Sequence, residues 1–554
     1  MNNTIHKMNQ TNYLIVIAFL IFTGCSNPTT RQSQNPERPN IILILSDDMG
    51  YSDLGCYGGE VETPNLDVLA QNGLRFTQFY NGARCCPTRA SLMTGCYPHQ
   101  TGIGHMTNTP ADFTQHDLGI PEYRGFLNKN CVTIAEVLKD AGYTTLMTGK
   151  WHLGISDKSK WPLQRGFDKF YGIIPGASNF FKPVYPRGIT YMNDTISVTD
   201  ENYYTTDAFT DYAIQFIDES EQENADKPFF LYLAYNAPHW PLNAPPEVVE
   251  KYKGKYLEGW TKLRETRYAR MKEMGIIDQE WDLSPQDWRD WDSMPEEKQQ
   301  EMDLRRAIYS AMIDRMDQNI GRLINHLKEQ NKLDNTLIIF MNDNGACAEG
   351  GELGGGPAKQ LGTKEGYFLT YGGAWANASN TPYREYKHWV HEGGIGTPFI
   401  VHWPNVIPRE ENGQLVSEYG FLPDLMATFV DAADAKYPET YQGNTIVPTS
   451  GKSLVPLFKG GKEQIHTEPI FWEHEGNKAV RLGKYKLVSK WNRKHETNWE
   501  LYDMETDRSE MHDLADQHTE KVKEMGAMYD KWAETNHVLP WNEIEALYKK
   551  KNNR

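Results

Sequence analysis

The chain is poor in cysteine, with 7 in 554 residues. The first, Cys25, closes an N-terminal apolar stretch, and the others at 56, 85, 86, 96, 131 and 347 are too scattered for a disulfide framework. They leave room for one or two bridges in an oxidising compartment. Cys85 and Cys86 are adjacent, and adjacent cysteines seldom bridge each other because the short ring is strained. No CxxC and no HExxH pattern occurs, so the usual thiolate and metalloprotease zinc signatures are missing. Basic stripes are missing too. A formal net charge of −17, without a lysine or arginine run that would track phosphates, argues against a nucleic-acid partner. It does not exclude an anionic small substrate, because local cations in a pocket decide that. No apolar run reaches bilayer length, and no internal repeat or low-complexity tract appears. Aromatic residues are plentiful, with 15 tryptophans and 30 tyrosines. Such numbers suit a carbohydrate-lined cleft and equally fill large cores.

The N-terminus reads as an export signal. Lys7 lies in a polar start, Tyr13–Phe22 is an apolar run of ten, and Thr23-Gly24-Cys25 resembles a bacterial lipobox. Residues 1–24 are expected to be removed and Cys25 lipidated. The location expected is the bacterial periplasm or outer membrane, with membrane contact only through that lipid. Residues 25–39 are polar and unpatterned and read as a tether.

The ordered part opens at "NIILILSDDMG". Five apolar residues, Ile41–Leu45, run without alternation, as in a strand buried on both faces of a parallel sheet. Thr63-Pro64 can start a helix and Gly73 can end it. Thr133 with Glu136 forms a capping box ahead of another helix, Gly142 closes it, and Tyr143–Met147 reads as the next strand. Ile308, Met312, Met316, Ile320, Leu323 and Leu327 recur at helical spacing before the apolar run "LIIFMNDN". Helices alternating with buried strands predict an α/β fold with a large, mixed, mostly parallel sheet sandwiched by helices. Ligands gather beyond the carboxyl ends of such strands. A catalytic domain over 40–464 is expected, with a helical surface insertion at about 251–303. Residues 465–554 read as a smaller antiparallel sheet with a helix.

Two strand ends carry acids: Asp47 and Asp48 in "LILSDD", and Asp343 with Asn344 in "MNDN". These are hard oxygen ligands of the kind calcium or magnesium takes. The most specific stretch is "RCCPTRASLMTG". It resembles the signature of the type I, formylglycine-dependent sulfatases of the alkaline phosphatase superfamily. The match runs from about 40 to about 515, through "SDDMGYSDLGCYGG", "TGKWHLG", "NAPHWPL", "FMNDNGA", "NTPYREYKHWVHEGGIGTPFIVHWP" and "WELYDMETDRSEMHDLA". In that family the cysteine with proline at +2 and arginine at +4 is oxidised by a separate maturation enzyme to formylglycine (3-oxoalanine). Pro87 and Arg89 select Cys85 and leave Cys86 at the variable position.

The resemblance implies an alkaline phosphatase-like fold and a sulfuric ester hydrolase. It implies one Ca2+ held by Asp47, Asp48, Asp343, Asn344 and the modified Cys85. Arg89 and Lys150 would steady the nucleophile, and Lys387 and His239 would grip the sulfate, His239 also serving as the leaving group's acid. His152 would take the proton that releases sulfate. His474, in "FWEHEGN", is assigned a substrate contact, while His388 and His391 read as structural. The family often reads EGGxRVP where this chain has Gly396-Thr397-Pro398 after Ile395, so no arginine contact is inferred there. Expected substrates are sulfated sugars or polysaccharide fragments, and aryl sulfates. The alternatives are a phosphonate monoester or phosphodiester hydrolase of the same superfamily, and an inactive sulfated-glycan-binding protein.

Overall fold

A computed structural model describes residues 38–107 and 117–552. The signal segment, Cys25 and nearly all of the tether lie outside them. Residues from Arg38 onward form one compact unit.

Eleven strands make the main sheet: β1 (Asn40–Ser46), β2 (Leu74–Tyr80), β3 (Thr144–Lys150), β4 (Lys169–Ile173), β5 (Ile189–Tyr191), β6 (Asp194–Ile196), β7 (Phe229–Ala234), β8 (Thr336–Asn342), β9 (Gly396–His402), β10 (Leu415–Val416) and β11 (Gly420–Phe421). Their order is β10-β2-β9-β8-β1-β7-β3-β4-β5-β6, with β11 also on β2. The centre, β8-β1-β7-β3-β4, is parallel, and β9 runs antiparallel to both β8 and β2.

The unbroken apolar run of β1 has a simple cause. Ile42 and Ile44 enter one core layer, and Ile41, Leu43 and Leu45 enter the other. Helices Pro64–Gln71, Thr205–Glu223 and Glu296–Glu329 cover the first layer, while Cys85–Thr94, Ile134–Asp140 and Asp424–Ala432 cover the second. The Thr133–Glu136 capping box forms as read, with reciprocal hydrogen bonds of 3.0 and 2.7 Å. Thr63 differs. Its hydroxyl makes no cap bond to its helix and instead accepts from the Gly55 N–H at 2.9 Å.

The stretch 251–303 is helical at Gly259–Glu273 and again from Glu296, with turns and extended chain between. Its Trp260 and Trp291 face inward and meet each other and Trp375, from beyond the stretch, with ring centroids 4.9–5.7 Å apart. Arg267 of that helix ion-pairs with Asp53 (2.9 Å) and Glu60 (2.7 Å), beside Arg306.

A short hairpin, β12 (Thr440–Tyr441) and β13 (Asn444–Thr445), precedes a four-stranded antiparallel sheet. That sheet is β14 (Ile470–His474), β15 (Asn477–Leu482), β16 (Tyr485–Ser489) and β17 (Glu500–Asp503). One face, with Ile470, Trp472, Val488 and Tyr502, packs on Tyr80, Val390 and Ile395 of the main body. The other carries Val480, Leu487 and Leu501 against Met525, Tyr529 and Trp532 of helix Thr519–Thr535. A second terminal helix, Trp541–Asn552, follows. No helix among the described residues is long and apolar enough to cross a membrane.

Candidate active site

Four neighbouring strands, β8, β1, β7 and β3, end on the same side of the sheet. β1 and β8 pair in parallel with Ser46 beside Asn342, so the next residues, Asp47 with Asp48 and Asp343 with Asn344, emerge side by side. Lys150 is the last residue of β3, and His239 follows β7 by one turn. Helix Cys85–Thr94 begins here, with Cys85 and Arg89 fully buried.

The contacts are short. Lys150 Nζ donates to Asp47 Oδ2 at 2.7 Å. Arg89 donates through Nε and Nη2 to Asp343 Oδ2 at 3.1 and 2.8 Å, and through Nη1 to the Lys150 carbonyl at 3.0 Å. Lys387 Nζ lies 2.8 Å from Asp48 Oδ1, and Asn344 Nδ2 donates to that oxygen at 2.7 Å. His239 Nε2 stands 3.4 Å from Asp48 Oδ2, while its Nδ1–H donates to the Trp240 carbonyl at 2.7 Å. Ligand atoms of Asp47, Asp48, Cys85 and His239 all lie within 4.8 Å of one another.

Two buried oxygens, Asp47 Oδ1 and Asn344 Oδ1, have no hydrogen-bond partner, an expensive state unless something else occupies them. Burial and the Asp343 carboxylate push Asp47 well above the usual carboxylate range, against Lys150 and Arg89. These donors fit a hard divalent cation. Three carboxylates face three fixed cations, Arg89, Lys150 and Lys387, so such an ion would leave the pocket net positive. Burial also pushes the Cys85 thiol up to about 12, although Lys150 and Lys387 pull it down. Burial, helped by Lys387 and Lys150, holds the His239 imidazole at about 3 despite Asp48.

His152 is buried with φ +58, its Nε2–H donating to the Thr107 carbonyl at 3.1 Å. Its Nδ1 has no partner, and burial with Lys150 holds the ring neutral. Asp48 (φ +65) and His388 (φ +94) are also left-handed. Such strain is kept where surrounding structure over-determines it. Cys86 turns away from the acids. Its sulfur accepts from the Thr107 N–H at 3.2 Å and packs in the core.

His474 is fully buried beneath His388, ring to ring at 5.2 Å, beside Glu475. The outward members of that trio are His388 and Glu475, whose carboxylate lies 3.3 Å from His388 Nδ1. Glu349 was not singled out in the sequence. It sits between Arg84 (3.0 Å) and Lys387 (3.8 Å) and accepts from Trp240 Nε1 at 2.8 Å. Its position five residues past Asn344, on the loop leaving β8, was the available signal. A cavity of about 750 Å³ lies between Thr107 and Lys550 and is lined by none of the acids or bases named above.

The sulfatase family profile matches residues 39–435. The chain belongs to the sulfatase family. A second profile, for the C-terminal region of N-sulphoglucosamine sulphohydrolase, matches residues 384–534 of this sulfatase. An arylsulfatase of Klebsiella aerogenes is 34% identical over 437 residues, 76% of this chain and 91% of that one. An N-acetylglucosamine-6-O-sulfatase of Bacteroides thetaiotaomicron is 26% identical over 575 aligned residues, 92% of this chain and 88% of that one. Among solved structures, Ps i-CgsB in complex with k-i-k-neocarrahexaose superposes with a TM-score of 0.65 at 28% identity, covering 90% of this chain and 93% of that chain.

Proposed function

We propose that this sulfatase hydrolyses sulfate esters of sugars through a formylglycine made from Cys85, with one calcium ion held by Asp47, Asp48, Asp343 and Asn344. The observation that carries the reading is the pair of partnerless buried oxygens, Asp47 Oδ1 and Asn344 Oδ1, in the acid cluster beside Cys85. When present, the hydrated aldehyde supplies an oxygen nucleophile and the ion offsets sulfate charge. The remaining work belongs to the chain's own groups. Lys150 and Arg89 lie against the acids nearest Cys85 and favour negative charge there. Lys387 and His239 face Asp48 from the other side and grip the sulfate oxygens. A sulfate anion beside His239 Nε2 favours the imidazolium, which then holds the proton the leaving alcohol needs. His152 is neutral, with Nδ1 as its free lone pair, and serves as the base that lets sulfate go.

Sugars are favoured because the neighbour carrying an oligosaccharide shares this chain's fold along most of its length, and because the Bacteroides thetaiotaomicron relative is an N-acetylglucosamine-6-O-sulfatase. Two measurements test the chemistry. Protein co-produced with a maturation enzyme should show a Cys85 peptide about 18 Da lighter than the cysteine form. It should also turn over aryl sulfate in preference to a phosphodiester. A thiol that stays intact, or dominant phosphodiester turnover, overturns the reading. We also propose export to the periplasm or outer membrane with a lipid on Cys25. Cell fractionation checks this: Cys25→Ser should leave the membrane fraction, and retention there counts against the anchor.

A further inference from the structure

Outside the pocket, one wall combines open aromatic rings with an arginine that has no acidic partner. Trp240 directly follows His239, and the two rings lie 4.6 Å apart. The Phe368 ring meets Trp240 edge-on at 5.0 Å, and the Arg187 guanidinium lies over the Trp240 face at 5.4 Å. Phe368 and Tyr367 are 43% and 48% exposed, and Tyr185 is 86% exposed. Three segments carry these groups, and the loops bearing Arg187 and Phe368 are tied together, since Asn179 Nδ2 donates to the carbonyls of Lys364 and Gly366 at 3.2 and 3.0 Å. Gly355 lets the Phe368 ring pack close to the backbone of its own wall. A Cβ at Gly355 would lie 2.7 Å from the Phe368 ring.

Arg187 is the telling group. The chain carries a net charge of −17, yet no carboxylate lies within ion-pair range of Arg187 among the described residues, whereas the neighbouring Lys182 is paired with Glu365. A half-buried guanidinium stacked on an indole, without a counter-ion of its own, is arranged to receive an anion from outside. The exposed Phe368 and Tyr367 rings suit the apolar face of a pyranose.

We propose that Trp240, Phe368 and Arg187 form a leaving-group subsite for an oligosaccharide that carries, besides the ester being cleaved, a second anionic substituent on the adjoining sugar. The subsite rests on the sulfate-ester reading above and extends it outward from His239. Phe368, braced edge-on by Trp240, holds the sugar ring, and Arg187, seated on the Trp240 face, binds the second anion, a sulfate or a carboxylate.

The test uses the full-length matured enzyme and matched disaccharide sulfate esters whose second sugar is neutral, sulfated or carboxylated, with an aryl sulfate as reference. Wild type should prefer a charged disaccharide over the neutral one by about tenfold in kcat/KM. Arg187→Gln should erase that preference through KM, and Arg187→Lys should restore part of it. The sulfated and carboxylated arms show which anion is read. A preference that survives Arg187→Gln, or equal losses on neutral, charged and aryl substrates, overturns the subsite. Calorimetric titration of the same disaccharides into Cys85→Ala protein separates the two readings. If wild type cleaves no sulfate ester, the hydrolytic reading fails, while charge-selective binding lost in the added Arg187→Gln variant still upholds the subsite.

Discussion

Cys85 and Cys86 share a peptide bond and almost nothing else. Cys85 faces the acid cluster, whereas Cys86 accepts a hydrogen bond from Thr107 inside the core. Counting to Pro87 and Arg89 in the sequence separates them through the resemblance to the sulfatase signature, which fixes proline at +2 and arginine at +4 from the modified cysteine. Glu349 was not legible in that way. Its part depends on Arg84, Lys387 and Trp240 arriving from three other segments. Gly176 was equally silent. A Cβ there would lie 2.5 Å from His152 Cε1, and Gly176 has no left-handed φ that alanine would strain. Gly176→Ala should therefore act by pushing the His152 ring. Steady-state kinetics should show kcat lowered by roughly 10- to 100-fold with KM nearly kept, and circular dichroism should show the fold retained. An unchanged kcat would remove His152 from the reaction.

Among the elements, the junction between the C-terminal sheet and the main body carries a buried charge network. Lys486 of β16 donates to Glu392 at 2.9 Å and Glu510 at 2.7 Å, and Arg508 donates to Glu392 at 2.9 Å. Against its burial, Lys486 and Arg508 hold the Glu392 carboxyl at about 2. The folded value is depressed below the ordinary carboxylate one, so this stability is complete above roughly pH 4.5. It is lost as pH falls toward about 2. Lys486→Met strands Glu510 and leaves Glu392 to Arg508 alone, and should cost about 3–5 kcal/mol, read by urea denaturation at neutral pH, with the deficit shrinking toward pH 2–3. The sequence carried the strands of this sheet through short runs broken by glycine and charged turns. It could not show which charges would meet across the junction, since Glu392 and Lys486 are far apart in the chain.

For the whole molecule, the acid pairs tie the proposed calcium site to the two central strands, so binding there stabilises the native state as a unit. Removing divalent ions with a chelator should lower the melting temperature, and added calcium should restore it. At a free concentration 100 times the dissociation constant the gain is about 2.7 kcal/mol. A chelator-insensitive melting curve, with metal analysis showing the ion removed, would argue against a calcium site in the fold. The sheet and its helices were legible because doubly buried strands and amphipathic helices leave strong periodic marks. Residues 251–303 were less so: their tryptophans read as surface chain but build core, because a ring's burial depends on partners such as Trp375 that lie far along the sequence. The full burial of Cys85 also sets an order of events. A converting enzyme cannot reach a side chain with no exposed surface, so on the proposed chemistry oxidation must precede folding. On that chemistry the window for activation closes when the helix docks, and chains that fold first would be well formed yet unconverted.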